Sequence, residues 1–157
     1  MKKLTRWVCL LVCLSVLPVV AAACVPVPTP TPSPTPAPGG SIQGIVWQWT
    51  SVTNRTTKET QTVSSPESYT ITFNSDGTLN GKADCNSFTG TYVREGGFFI
   101  TAKPDVMAAC GGDSLDQQYF ELLGDIVAGG PDGAGNLALE TAGGEQRMLF
   151  VNGGAAQ

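Results

Sequence analysis

Histidine is absent from all 157 residues. The side chain that most readily takes and returns a proton near neutral pH is therefore missing. With it goes the usual base for activating a serine or cysteine nucleophile. Zinc loses its main nitrogen ligand, and the five cysteines offer no CxxC spacing in compensation. No EF-hand-like alternation of Asp and Asn is present, so calcium has no recognisable loop. Neither a metal nor a cofactor is expected. Charge is scarce too, at 14% of residues, and positive charge is the scarcer sign. Of nine Lys and Arg, three (Lys2, Lys3, Arg6) lie in the first six residues. From residue 24 onward six basic residues face thirteen acidic ones, a net charge of −7. Phosphate binding needs a basic patch, so nucleic acid is excluded as a partner. Broad adhesion to anionic lipid is disfavoured for the same reason. Long apolar runs are also lacking. The longest, Val8 to Val20, spans 13 residues, against about 20 for a membrane-crossing helix.

That short run has instructive flanks. A basic head precedes it, and Ala21-Ala22-Ala23 follows it, with Cys24 next. Basic head, apolar middle and small-residue exit form a cleaved signal peptide over residues 1–23. A Cys at the first mature position is read as a lipidation site, although Ala21 stands where lipoprotein boxes usually carry Leu. Ordinary signal-peptidase cleavage, giving a soluble secreted chain, is the alternative. Residues 25–38 then place Pro at every second position and Gly39-Gly40 closes the segment. Such a chain favours extended polyproline II, and 14 residues reach about 40 Å at ~3.1 Å each. Residues 24–40 are thus a lipid-bearing, Pro-rich linker. The expected location is the cell membrane or outer envelope.

Residues 41–157 suffice for one domain with one core. Trp47 and Trp49 alternate with polar neighbours, as do Tyr69, Ile71 and Phe73, which is strand periodicity. Asn74-Ser-Asp-Gly77 reads as a hairpin turn. Leu79, Gly81, Ala83 and Cys85 share one face, and Phe88, Gly90 and Tyr92 share the next. Residues 53–64 are polar and Thr-rich, either a long loop or a weak edge strand. Glu95-Gly96-Gly97 turns the chain into an apolar strand from Phe98. Ser114 and Gln117 suit a capping box, and Leu115, Tyr119, Leu122, Leu123 and Ile126 form a helical stripe that Gly129-Gly130 would end. Asn136–Glu140 and Gln146–Val151 predict a last hairpin across Ala142–Glu145. The sum is a mainly β, α+β domain. It is expected as a small antiparallel barrel or strongly curved sheet of about seven strands with one packed helix.

The stretch Tyr69-x-Ile-x-Phe73-x-x-Asp-Gly77-x-Leu-x-Gly81-x-x-x-Cys85-Asn86-x-Phe88-x-Gly90-x-Tyr92 resembles the signature of the META domain, the HslJ-like family of bacterial heat-shock proteins. Met107-Ala-Ala-Cys110, the helix with Phe120 and Leu123, and the opening Trp47-Gln-Trp49 extend the resemblance over about residues 44–152. Asp84 stands where the family usually has Gly, and Val106 where it usually has Thr. The resemblance implies a small β-rich envelope protein and no assigned catalytic activity. It singles out Asn86, Phe88, Gly90 and Tyr92 as motif residues.

Each reactive candidate has a structural rival. Cys9 and Cys13 leave with the signal, so Cys85 and Cys110 remain as an even pair in an oxidising compartment, where a disulfide is the default. Closing that loop is worth about 3–4 kcal/mol in the chain-entropy model. A Cys85 nucleophile lacks a base, and a redox role for Cys110 ahead of the helix yields to a staple between helix entry and sheet. Asn86 is expected to accept a left-handed backbone and bond its own turn. Gly81 and Gly90 mark close strand approach. Asp84, Asp105, Asp113 and Asp116 are read as a solvated acidic rim. Trp47 and Trp49 are read as core. With no catalytic constellation to assemble, the expected function is a non-enzymatic binding or stress-related accessory lipoprotein with an envelope protein as partner. Loops 53–66 and 129–135 would make the contact. An inhibitor-like module against an extracellular hydrolase, or a small-ligand carrier with a barrel cavity, is the alternative.

Overall fold

A computed structural model describes residues 41–157. The expected signal peptide over residues 1–23, the expected lipidation site Cys24 and the Pro-rich segment up to residue 40 lie outside the described residues. Nine strands form one antiparallel sheet. They are β1 (Ile45–Asn54), β2 (Thr60–Thr62), β3 (Tyr69–Phe73), β4 (Thr78–Ala83), β5 (Asn86–Val93), β6 (Phe99–Pro104), β7 (Ile126–Pro131), β8 (Leu137–Thr141) and β9 (Gln146–Ala155). The helix α1 (Asp116–Gly124) lies between β6 and β7. Spatial order is β6-β5-β4-β3-β1-β9-β8-β7, with β2 paired to β1. The sheet curls until its ends nearly meet, where the Phe98 N–H donates to the Val127 carbonyl at 2.8 Å. The helix packs against β6 across the remaining gap.

The alternating pattern puts large side chains inside. Trp49, Phe73, Phe88, Tyr119 and Phe150 are fully buried. Each such side chain contributes about 1.5–3 kcal/mol by leaving water. Trp49, Tyr69 and Tyr119 meet at ring-centroid distances of 5.2–5.8 Å. Trp47 and Trp49 are core, as expected, and both keep an indole bond. Trp47 Nε1 donates to the Ile42 carbonyl and Trp49 Nε1 to the Ser51 carbonyl, each at 2.8 Å. Tight curvature requires bare backbone at two points. A Cβ at Gly81 would strike the Thr70 carbonyl and the Phe88 ring, and one at Gly90 would strike the Thr101 carbonyl. Both glycines thus permit close strand approach.

Three sequence expectations change. The strands number nine because Thr60–Thr62 pairs with β1 and Ile126–Pro131 is β7. The helix stops at Gly124, not at Gly129-Gly130, which lie within β7. Ile126 is buried as the helical stripe required, but from a strand. The capping box does not form. Leu115 is the N-cap residue and makes no side-chain cap bond. Ser114 Oγ instead accepts from the Asp116 N–H at 3.2 Å, and the Leu115 N–H donates to the Tyr69 hydroxyl at 2.8 Å. A core tyrosine thus satisfies one of the helix-start donors that a cap would otherwise serve.

Candidate functional site

The barrel has two unlike ends. Gln43 and Gly44, two and three residues after Ser41, lie beside Phe73 and Tyr92, and the Tyr92 hydroxyl joins them to the Asn74–Gly77 turn. The Gly44 N–H donates to the Phe73 carbonyl at 3.0 Å, and Gln43 Nε2 donates to the Tyr92 hydroxyl at 2.7 Å. The other end carries the β4–β5 turn, β2, the start of α1 and the irregular segment 105–115.

Cys85 and Cys110 form a disulfide with Cα atoms 5.7 Å apart. It ties the β4–β5 turn to the segment before α1. Asp84, just ahead of it, sits in the left-handed region at φ 56°. Asp is among the few residues other than Gly that enter this region at modest cost. Its N–H donates to the Ser68 carbonyl at 2.7 Å.

Asn86 does not bond its own turn. It is 1% exposed and reaches across to the tied segment. Its Oδ1 accepts from the Ala108 N–H at 2.8 Å, and its Nδ2 donates to the Ala108 carbonyl at 3.1 Å and to Asp116 Oδ2 at 3.0 Å. One amide therefore replaces the ladder that residues 106–110 lack. Asp116 is buried by this contact, so it leaves the acidic rim proposed for it. Asp105 accepts from Thr89 Oγ1 at 3.3 Å. Asp84 and Asp113 line one cleft of about 450 Å³ between residues 61–65 and 111–115. The structure thus does not gather the four carboxylates into one group.

The remaining motif residues are structural. Phe88 packs edge-on to Phe120 at 5.3 Å. Gly90 admits β6. The Tyr92 hydroxyl donates to the Asn74 carbonyl at 2.8 Å while accepting from Gln43. Tyr119 has a fully buried hydroxyl with no partner among the described residues, and burial pushes its phenol well above the usual range. The disulfide removes both thiols from nucleophilic chemistry. Beside its carboxylates the end displays an apolar pair: Val106 is 73% exposed and Met107 61%. Sequence reasoning passed over this pair, although an exposed role is signalled by apolar residues next to Asp105 with no periodicity.

Of the two loops expected to make contact, 53–66 contains β2 and belongs to the disulfide end. The other, 129–135, is reduced to residues 132–135 because its first three residues are in β7. Among the described residues no helix is long and apolar enough to cross a membrane.

Comparison with solved structures finds the same fold at low identity. A protein of the DUF4847 family from Bacteroides vulgatus ATCC 8482 is similar at TM-score 0.55 and 14% identity, covering 70% of this chain and 93% of its own. A protein from Burkholderia xenovorans is similar at TM-score 0.56 and 19% identity, covering 71% of this chain and 83% of its own. No curated protein matches. The family model of the META domain matches residues 40–153, which takes in β1 to β8, the disulfide and β9 as far as Gly153. The chain belongs to the META domain family.

Proposed function

We propose that this protein is an envelope-anchored, non-enzymatic binding lipoprotein, tethered through Cys24 and presenting its disulfide end to a protein partner. The observation that carries the reading is the exposure of Val106 and Met107 on a segment held by a disulfide and by Asn86. Apolar side chains kept at the surface by a covalent staple suit a preorganised contact, because little loop entropy is lost on binding. The chain enters the body at Ser41, at the end away from that contact. The Pro-rich composition of residues 25–38 would give a reach of about 40 Å at ~3.1 Å per residue.

Two rival readings separate on chemistry. An inhibitor of an extracellular hydrolase is a special case of the same reading, since a stapled protruding segment is what insertion into a cleft would use. A small-ligand carrier needs interior space, and aromatic rings such as Trp49, Phe73, Tyr119 and Phe150 occupy the interior. Membrane fractionation of the wild type against Cys24→Ala, each carrying a photo-crosslinker at position 107, tests both halves. The wild type is expected in the membrane fraction with a discrete crosslinked band, and Cys24→Ala in the soluble fraction. Identical soluble partitioning removes the anchor. Absence of a crosslink at 107, with a crosslinker at Lys82 as the control position, removes the contact.

A further inference from the structure

We propose that the free edge of β2 docks an extended, Lys- or Arg-bearing peptide segment of a partner protein, which joins the barrel wall as an added strand. The proposal rests on the protein-binding reading above and names the chemistry of the partner.

The edge follows from hydrogen-bond phase. The Asn54 N–H donates to the Glu59 carbonyl and the Val63 N–H to the Thr50 carbonyl, each at 2.9 Å. Antiparallel pairs alternate, so Gln61 turns its main-chain groups to Val52 while Thr60 and Thr62 turn theirs away. Among the described residues β2 pairs with β1 alone. All three of its residues are exposed. The wall is open here because β3 pairs with β1 only over Val46–Gln48, and β2 takes over at Ser51–Thr53 with no strand outside it.

The space beside the edge is built to receive something. The cleft along residues 61–65 measures about 450 Å³, within the ~300–1,000 Å³ typical of ligand clefts. Its far wall is residues 111–115, which the disulfide holds in place. Gln61, a lining residue, is held by Gln118, whose Nε2 donates to its Oε1 at 2.8 Å. Thr62, whose main-chain groups turn outward, lines this cleft, and Thr60 continues the same edge. An outward edge of this kind favours an extended peptide over a compact solute, because strand addition uses just those groups.

Charge selects the occupant. Asp84 and Asp113 line this cleft, and among the described residues no Lys or Arg does. The neighbouring cleft beyond Gln118 is lined by Glu121, Asp125 and Glu145, again without a Lys or Arg. A peptide with cationic side chains is complementary in charge to these carboxylates. A second copy would bring its own net charge of −7 to the same place. The chain's own linker, residues 24–40, contains no Lys or Arg. Anionic lipid is repelled.

The test uses the isotopically labelled chain carrying Cys24→Ser, titrated with a heptapeptide of alternating Lys and Val. Saturable binding is expected, with the Thr60 and Thr62 amides gaining exchange protection. The same peptide with Glu for Lys is expected not to bind. The Lys peptide N-methylated at alternate amides, on the face presented to β2, is expected to lose binding as well. The double variant Asp84→Asn, Asp113→Asn is expected to weaken binding at least tenfold. Asn keeps the left-handed backbone at 84, so the variant should fold. Thr62→Pro removes an outward donor and should weaken binding alone. Equal binding of Lys and Glu peptides, insensitivity to N-methylation, or absence of saturable binding overturns the proposal. Protection that falls on residues 106–110 instead, or dimerisation without peptide, also overturns it and assigns the edge elsewhere. A crosslink at position 107 that survives such a failure leaves the binding reading standing.

Discussion

The two ends of the barrel solve the same problem with different bonds. At the Ser41 end, short connections let backbone and tyrosine bonds suffice. Gln43, Tyr92 and Asn74 form a chain of contacts at 2.7 and 2.8 Å, and the Ala156 N–H reaches the Gly44 carbonyl at 2.9 Å. At the other end, residues 105–115 cross the barrel with no regular structure. A disulfide, a buried amide and a buried carboxylate hold them. The lesson is that an irregular segment must import its order from side chains. It can then keep apolar groups such as Met107 at the surface without collapsing onto the core.

The strongest way to break this comparison is to cut the covalent tie. Replacing both Cys85 and Cys110 by Ser should cost about 2–5 kcal/mol in urea unfolding, as removing a disulfide from a small secreted domain does. Amides of residues 106–112 should lose exchange protection before those of β3 or β5. Uniform loss across the barrel would show that the segment has no separate stability.

A sharper contrast pairs one hydrogen-bonding residue from each end. Asn86→Ala should cost about 2–3 kcal/mol, because it strands the buried Asp116 carboxylate and removes both bonds to the part-buried Ala108 backbone. Tyr92→Phe should cost only about 1 kcal/mol, since the Asn74 carbonyl and Gln43 amide lie near solvent. Chemical denaturation of the two variants side by side decides it. Equal costs would erase the distinction between the ends.

The smallest effect is set by pH and belongs to the Ser41 end. The Thr78 hydroxyl and N–H donate to Asp76 Oδ1 and hold that carboxyl below its usual range. A pKa lower in the folded state than in the unfolded one stabilises the fold above the unfolded value, about 3.9. That contribution fades as pH falls through the folded value. Asp132, bonded first by Asn136 and then by the Ala134 N–H, behaves the same way. Asp76→Asn should slightly flatten the acid limb of a Tm-against-pH curve below about pH 4. The Cys85→Ser, Cys110→Ser variant should keep that limb, because no carboxylate involved touches the disulfide end.

Much of the fold was legible because its carriers are local. Alternation placed Trp47, Trp49, Tyr69, Ile71 and Phe73 in the core, and Asn74–Gly77 in a turn. Cysteine counting paired Cys85 with Cys110. The helix end was not legible. Ile126 continues the apolar stripe of Leu122 and Leu123 in sequence, and burial from a strand or from a helix leaves the same pattern. β2 was equally hidden, since Thr-Gln-Thr is fully exposed and carries no apolar period. Its existence depends on β1 outrunning β3. Of the candidate site, the disulfide could be read in advance, but Asn86 could not be assigned its partners. They lie 22 and 30 residues away, and nothing local marks them.

Composition, periodicity and cysteine parity are properties of short stretches, which is why the mainly β class, the aromatic core, the disulfide and the family resemblance could be read from the residues alone. The tertiary structure alone decided which residues share an end of the barrel. It set Asp84 in a left-handed turn, bound Asn86 to Ala108 and Asp116, left β2 with an open edge, and turned Val106 and Met107 outward. Those outcomes follow from how far each strand runs before the sheet curls closed, which is a balance of non-local pairings that no local stretch encodes.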